Sequence, residues 1–288
     1  MKNVMIILNF NDYRTTKKLI ELVRGYNSID KIIIVDNMST DDSYDILKSY
    51  VSDKIDVIHT NKNGGYAFGN NYGMKYAEEK YNSKYYTIAN PDISFKNETL
   101  NSIIEFLDRY KKYAIATAKV NNVHSPENSI VGWKLPKFKD DMISVLSITN
   151  KLFNNLYYDN EYLSNDIIEV DVVPGSFFVV KAEVMKKIGY FDEDTFLYCE
   201  ERILAYKLKE KKYKSAVLGN ITYDHIHGKT IKQHYKKKVQ LYKILQQSKR
   251  IYLKKYLKIN KFKQILFNIA TIIGYLEKII IGFIREKS

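Results

Sequence analysis

The 288-residue sequence contains a single cysteine, Cys199, so no internal disulfide can form and a reducing compartment is the natural setting. No G-x-G-x-x-G follows the first apolar run and no G-x-x-x-x-G-K-[ST] occurs, which disfavours a Rossmann dehydrogenase and a P-loop nucleotidase. The opening stretch MKNVMIILNFND lacks the length and the small-residue cleavage site of a secretory signal and is expected to be a first strand. Internal repeats and low-complexity linkers are missing too. The longest apolar stretch, Gln264–Ile284, has the length of a membrane span but carries Glu277 and Lys278 inside it and is interrupted by Asn268 and Tyr275.

What is present is the composition of a folded globular chain, 45% hydrophobic and 27% charged. The formal charge of +13 suggests nucleic acid until it is located. From residue 231 onward there are fifteen Lys/Arg against two acids, so this segment carries the whole excess and the body is neutral. Such asymmetry points to an anionic surface met by one end of the molecule.

Apolar runs at Val4–Phe10, Lys31–Val35, Ile55–His59, Tyr85–Ala89 and Tyr113–Val120 alternate with helical patterns at Leu19–Val23, Tyr44–Tyr50, Tyr66–Tyr81 and Asn97–Tyr110. This alternation predicts βαβ units, an α/β fold with a mostly parallel sheet flanked by helices. Residues 1–120 read as a nucleotide-binding half and 121–230 as the second half of the same domain. In that second half the pattern predicts a hairpin near Ser129–Lys134, a helix over Asp140–Leu156, strands at Ile167–Val173, Phe177–Val180, Lys214–Leu218 and Ile221–Asp224, and a helix at Cys199–Lys211. Residues 231–288 read as a basic, amphipathic helical extension.

Each early strand ends in polar residues: Asn9 after the first, Asp36-Asn37-Met38-Ser39-Thr40-Asp41 after the second, Asn63-Gly64-Gly65 through Asn70 after the third. Asp36 stands where a carboxylate could accept from a base N–H or a ribose hydroxyl. The glycines permit close backbone approach before a helix, an arrangement friendly to anions. The fourth strand stops at Asn90-Pro91-Asp92, because proline cannot donate to a ladder, and this leaves a carboxylate at a strand's carboxyl end.

Taken in order, VDNMSTDDS (35–43), NGGYAFGNNYG (63–73), ANPD (89–92) and PGSFFVVKAEVMKKIGYFDEDTFLYCEE (174–201) resemble glycosyltransferase family 2, and most of all its bacterial rhamnosyltransferase-like members. The resemblance covers roughly Val4 to Thr230. It implies a GT-A fold and an inverting transfer of a sugar, from dTDP-rhamnose or a UDP-sugar, to a hydroxyl of a lipid-linked glycan in bacterial surface-polysaccharide (capsule) synthesis. By similarity, Asn9, Asp36, Asp41, Asn63, Gly64, Gly65, Asn70 and Asn90 would bind the nucleotide-sugar. Asp92, with His225 or His227, would hold Mg²⁺ or Mn²⁺. Glu201, with Glu200 second, would be the general base, and Gly175, Trp133, Phe177, Asp192 and Glu193 would meet the acceptor. Three positions depart from the family: Glu201 replaces Asp, Ile203 replaces a second Asp and Lys207 replaces Arg. For Phe177 and Trp133, core packing is the competing reading.

The expected partners are therefore a nucleoside-diphosphate sugar, a lipid-linked glycan acceptor and an anionic membrane surface, with no nucleic acid. The expected location is cytoplasmic, peripheral at the inner face of the plasma membrane. The tail's apolar stripe could instead pack on the catalytic body or form a homodimer. A nucleotidyltransferase is disfavoured because Asn9-Phe10-Asn11-Asp12 is not a glycine- and arginine-rich loop. A nucleic-acid-binding protein using the Lys/Tyr tail, and an inactive assembly partner marked by Asn90 and Ile203, are the readings from other classes.

Overall fold

The computed structural model describes residues 2–123, 131–153, 155–226 and 238–286. Its first half is β1 (Asn3–Asn9), α1 (Tyr13–Val23), β2 (Lys31–Asp36), α2 (Ser43–Lys48), β3 (Ile55–His59), α3 (Gly65–Lys80), β4 (Tyr85–Ala89), β5 (Ile93–Ser94), α4 (Asn97–Arg109) and β6 (Tyr113–Asn122). β3, β2, β1 and β4 lie side by side and parallel. Their apolar runs are uninterrupted because helices cover both faces. Met5 and Ile7 face one core layer, Val4 and Ile6 the other. Asp12 caps α1 by accepting from Thr15 N at 3.3 Å, and the helix seals one layer with Leu19, Ile20 and Val23.

The second half adds α5 (Phe138–Ile143), α6 (Ser147–Phe153), a 3₁₀ turn (Tyr162–Ser164), β7 (Ile167–Val170), β8 (Phe177–Lys181), α7 (Ala182–Lys187), α8 (Glu200–Glu210) and β9 (Lys214–His225). β8 inserts antiparallel between β4 and β6, giving the order β3-β2-β1-β4-β8-β6-β9-β5, with β7 on β9. The parallel pattern read from the sequence thus holds for the first four strands, and the sheet becomes mixed beyond β4.

Two local expectations change and a third lies partly beyond the described residues. The helix over Asp140–Leu156 is two helices, broken where Val145 turns into an apolar cluster with Leu253 and Phe267. The two short strands around Gly219 are one strand, β9, whose pairing with β6 slips between Ala118 and Lys119. The hairpin near residues 129–134 falls partly outside the described residues. Within them, Trp133 exchanges backbone hydrogen bonds with Val172 at 3.1 and 2.9 Å.

The C-terminal segment comprises α9 (Lys238–Ile251), a π turn (Tyr252–Tyr256) and α10 (Lys261–Glu286). It does not hang free: Tyr252 and Leu253 are buried against the body, and Phe267, Thr271 and Gly274 of α10 face inward. The other side of α10 is bare, with Ile265, Ile269, Ile272, Ile273, Leu276 and Ile280 each more than half exposed. Among the described residues, no helix is long and apolar enough to cross a membrane.

Candidate active site

The carboxyl ends of β1 and β2 carry a closed polar network. Asp36 is fully buried and accepts from Asn9 Nδ2 at 2.8 Å, Ser39 N at 3.0 Å and Ser39 Oγ at 2.6 Å; His59 Nε2 lies 3.4 Å away. Asn9, also fully buried, accepts from Thr16 Oγ1 at 2.8 Å. Asn9 and Asp36, expected from the sequence to hold the base and ribose, are bonded to each other and to Thr16 and Ser39. With no accessible surface, both hold the shape of the loop above them, where Met38 takes a left-handed conformation. Asp41 is exposed and accepts from Ser43 N at 3.0 Å, starting α2.

The glycine-rich turn before α3 is fastened to the second half. Gly65 has φ +85°, and a Cβ there would fall 1.9 Å from the carbonyl oxygen of Phe196, so only glycine fits. The next residue, Tyr66, donates its N–H to that same carbonyl at 3.1 Å. Asn63 Oδ1 accepts from Asn37 Nδ2 at 3.0 Å and from Gly65 N at 3.1 Å, closing the turn. Gly64 sits under the Phe68 ring. Asn70 is buried and donates to Tyr66 O, while its Oδ1 has no hydrogen-bond partner among the described residues.

Gly175 and Ser176, just before β8, join the remaining parts. A Cβ on Gly175 would meet Glu201 Oε1 at 2.5 Å, so the carboxylate lies directly on the glycine. The carbonyl of Gly175 accepts from the Tyr66 hydroxyl at 2.7 Å. Ser176 O accepts from Asn90 N at 2.8 Å, and Ser176 Oγ shares a 2.7 Å hydrogen bond with the buried Tyr223 hydroxyl. Two residues later, Asp92 Oδ1 is 3.4 Å from His225 Nε2. β5 pairs Ile93 with His225, and Ile226 N donates to Asp92 O at 2.9 Å, which fixes this approach. The glycine-rich turn through Tyr66, the β4 end through Asn90, and Glu201 thus converge on one dipeptide. Tyr66 and Ser176 were given no role from the sequence, though both lie within the motifs quoted above.

The two glutamates differ. Glu200 is 3% exposed and its Oε1 is buried with no hydrogen-bond partner among the described residues. Burial, reinforced by the negative charge of Glu201, pushes its carboxyl well above the usual range. Glu201 is half-buried, and burial raises it as well. Of the pair, Glu201 is the one with both a place at Gly175 and solvent access. The residues before them, Tyr198 and Cys199, have φ of 71° and 72°, a conformation that non-glycine residues rarely adopt and that clusters at functional sites.

The acceptor group separates. Phe177 is fully buried, stacked on Phe95 at 4.4 Å and beside Tyr223; it is a core residue with no face for an acceptor. Asp192 accepts from Lys255 and Tyr256, and the exposed Glu193 from Asn71 and Lys75. Trp133 is half-buried and hydrogen-bonded to Val172, which lies three residues before Gly175. His227 lies outside the described residues. A cavity of about 440 Å³ lined by Lys84, Lys111 and Lys181 opens at the opposite, amino-terminal end of β4.

Among the described residues, no cluster of three or more His, Cys, Asp or Glu could by itself hold a metal. The donor set of Asp92 and His225 nonetheless fits a divalent ion that takes its other ligands from a diphosphate and water. One hard oxygen and one imidazole suit Mn²⁺ better than Mg²⁺.

The sequence profile of Glycosyl transferase family 2 matches residues 4–189. Rhamnosyltransferase WbbL of Escherichia coli is 29% identical over 211 residues, covering 71% of this chain and 75% of that protein. The low-salt glycan biosynthesis hexosyltransferase Agl10 of Haloferax volcanii is 23% identical, covering 72% of this chain and 61% of its own length, less than two thirds. Among solved structures, the mannosyltransferase PcManGT from Pyrobaculum calidifontis, in complex with GDP-Man and Mn²⁺, aligns with a TM-score of 0.59 at 12% identity, over 96% of this chain and 73% of that one. S. aureus TarS 1-349 in complex with UDP-GlcNAc aligns with a TM-score of 0.58 at 14% identity, over 96% and 73%. These likenesses make the fold GT-A.

Proposed function

The chain belongs to glycosyl transferase family 2, and from that premise we propose that it transfers a hexosyl unit with inversion from a nucleoside-diphosphate sugar to a hydroxyl of a lipid-linked glycan. Rhamnose carried on dTDP is the first donor to test, a UDP-sugar the second; the relatives named for rhamnosyl and hexosyl transfer support this choice. The observation that carries the reading is the Gly175–Ser176 junction, which brings a carboxylate of raised pKa, the glycine-rich turn and the Asp92 strand end to one place.

In this mechanism Glu201 takes the acceptor hydroxyl proton as that oxygen attacks the anomeric carbon. The bond from the anomeric carbon to the phosphate oxygen breaks on the opposite face, and the nucleoside diphosphate leaves. Asp92 and His225 are the residues that would hold the divalent ion, which when bound offsets the charge growing on the diphosphate. Gly175 keeps the space beside Glu201 clear. Tyr66, through its hydroxyl on Gly175 O, ties the nucleotide-side turn to the acceptor side.

The bare face of α10 supports a peripheral site of work at the inner face of the plasma membrane. Its apolar side chains, flanked by Lys254, Lys258, Lys261 and Lys263, fit a helix lying in an anionic interface. A thermal-shift screen with dTDP, UDP and GDP, with and without Mn²⁺, followed by diphosphate release from the matching donor, tests the reading. Stabilisation by one nucleotide and turnover of its sugar are expected. No stabilisation and no turnover with any donor would overturn it.

A further inference from the structure

The loop from Ile188 to Cys199 delivers the glutamate pair, and it is held from two sides. Both of its ends carry left-handed residues: Gly189 and Tyr190 at the start, Tyr198 and Cys199 immediately before α8. On the nucleotide side, Tyr66 N donates to Phe196 O at 3.1 Å, and Asn71 Oδ1 accepts from Phe191 N at 3.0 Å. Lys207 of α8 donates to the Gly189 and Tyr190 carbonyls at the loop's start, and the C-terminal segment grips it further along. Ser248 Oγ of α9 donates to Leu197 O at 2.8 Å, so neighbouring carbonyls are taken by opposite halves of the molecule. Lys255 Nζ reaches the carboxylates of Asp192 and Asp194, each at 2.8 Å, and the Tyr256 hydroxyl donates to Asp192. Tyr252, fully buried, packs with Cys199 and Ile203 and lies under the Arg202 guanidinium at 5.4 Å.

Packing alone would predict an apolar seam that stabilises the chain without regard to where the active site is. Here the polar contacts fall on the loop's first carboxylate, on its Leu197 carbonyl and beside its strained exit. We propose that α9 and the π turn are a part of the active site: Ser248, Lys255 and Tyr256 act as positioning residues that hold the strained turn from which Glu201 reaches Gly175. A left-handed pair such as Tyr198-Cys199 persists only where its surroundings over-determine it, and these three residues supply that restraint on the acceptor side. The inference rests on the reading of Glu201 as the general base. It makes the basic extension more than an anchor, since the enzyme needs its α9 portion even in free solution.

Cys199, the chain's one cysteine, reports on this turn directly. It is 5% exposed, and burial pushes its thiol up to about 12, so intact protein should react slowly with 5,5′-dithiobis(2-nitrobenzoate). The test compares full-length wild type, Ser248→Ala, Lys255→Met combined with Tyr256→Phe, and the conservative Lys255→Arg. The readouts are Cys199 labelling, melting temperature, UDP and dTDP binding, and diphosphate release from dTDP-rhamnose or UDP-GlcNAc without membranes. The double variant is expected to label about tenfold faster, as local opening of the turn exposes the thiol. Its kcat is expected to fall by about 10²-fold with the donor KM unchanged, because a misplaced base costs rate rather than donor affinity. Lys255→Arg, which keeps the cation beside Asp192 and Asp194, should label and turn over as wild type does. Wild-type labelling and kcat in the double variant would overturn the proposal, as would losses that follow the melting temperature with KM rising alongside. If wild type turns over no donor, the transferase reading fails, and the labelling comparison still decides whether the C-terminal segment holds the turn.

Discussion

Gly175 and Glu201 occupy one small space: a methyl group on the glycine would lie 2.5 Å from the glutamate Oε1. The carboxylate must be displaced by any side chain at position 175. Gly175→Ala is therefore expected to lower kcat by about 10²-fold, the scale of a misplaced catalytic group. Nucleotide binding, measured by thermal shift with the matching diphosphate, should stay unchanged. Full turnover in this variant would separate Glu201 from the chemistry.

The two glutamates should respond oppositely to amide substitution. Glu201→Gln is expected to lose about 10²–10⁴-fold in rate, the usual worth of a positioned general base. Glu200→Gln removes a buried carboxylate whose Oε1 has no hydrogen-bond partner among the described residues, and should keep activity. An active Glu201→Gln beside a dead Glu200→Gln would reverse the assignment.

Burial raises both carboxyls, and this sets the pH behaviour. Between the ordinary glutamate value and the raised native one, the native state binds more protons than the unfolded chain. Stability contributed by these groups is thus full at low pH and is lost as pH rises through that window. The melting temperature of Glu200→Gln should exceed wild type at neutral pH, and the gap should close toward pH 4. The acid limb of kcat/KM should lie above the ordinary carboxylate range, because Glu201 must be ionised to act. A limb at the ordinary glutamate value would contradict a buried base.

At the other end of the site, Asp92→Asn and His225→Gln each remove a donor while the Ile226 N to Asp92 O hydrogen bond stays. Each is expected to abolish the extra thermal stabilisation that Mn²⁺ gives with the nucleoside diphosphate. The melt without metal should remain close to wild type. Undiminished Mn²⁺ stabilisation in Asp92→Asn would place the ion elsewhere.

Gly65→Ala combines a left-handed backbone with a 1.9 Å approach to Phe196 O. The strain alone costs about 1–3 kcal/mol, and relieving the contact detaches Tyr66 N from the same carbonyl. A lower melting temperature together with weaker nucleotide stabilisation is expected. Gly25, where an added Cβ meets nothing within 4 Å, is the control position and should tolerate alanine.

Charging the bare face of α10 with Ile269→Glu, Ile272→Glu and Leu276→Glu leaves the inward residues Phe267, Thr271 and Gly274 in place. Co-sedimentation with phosphatidylglycerol vesicles should be lost while the melt and soluble-donor turnover persist. A change in oligomeric state without any effect on vesicle binding would make the face a contact between copies of the chain.

The first four strands were legible because burial on both faces demands unbroken apolar runs, and Val4–Phe10 or Lys31–Val35 can be little else. The strand-end position of Asp92 followed from local punctuation, the proline at 91, and the glutamate pair at the start of α8 from the family resemblance of the residues before it. Beyond β4 the chain's own pattern was silent about pairing. The insertion of β8 between β4 and β6 is a long-range choice that no local periodicity encodes. The same holds for individual roles. Asp36 and Asp92 look alike as acids at strand ends, yet Asp36 is saturated by Asn9 of β1 together with the adjacent Ser39, while the fold brings Asp92 to face His225. The sequence by itself determined where the first four strands run and where the charge excess lies, since both depend on neighbours in the chain. Only the tertiary structure decided that Phe177 is core, that Gly175 faces Glu201 and that Lys255 grips Asp192, because those depend on contacts between residues far apart in the chain.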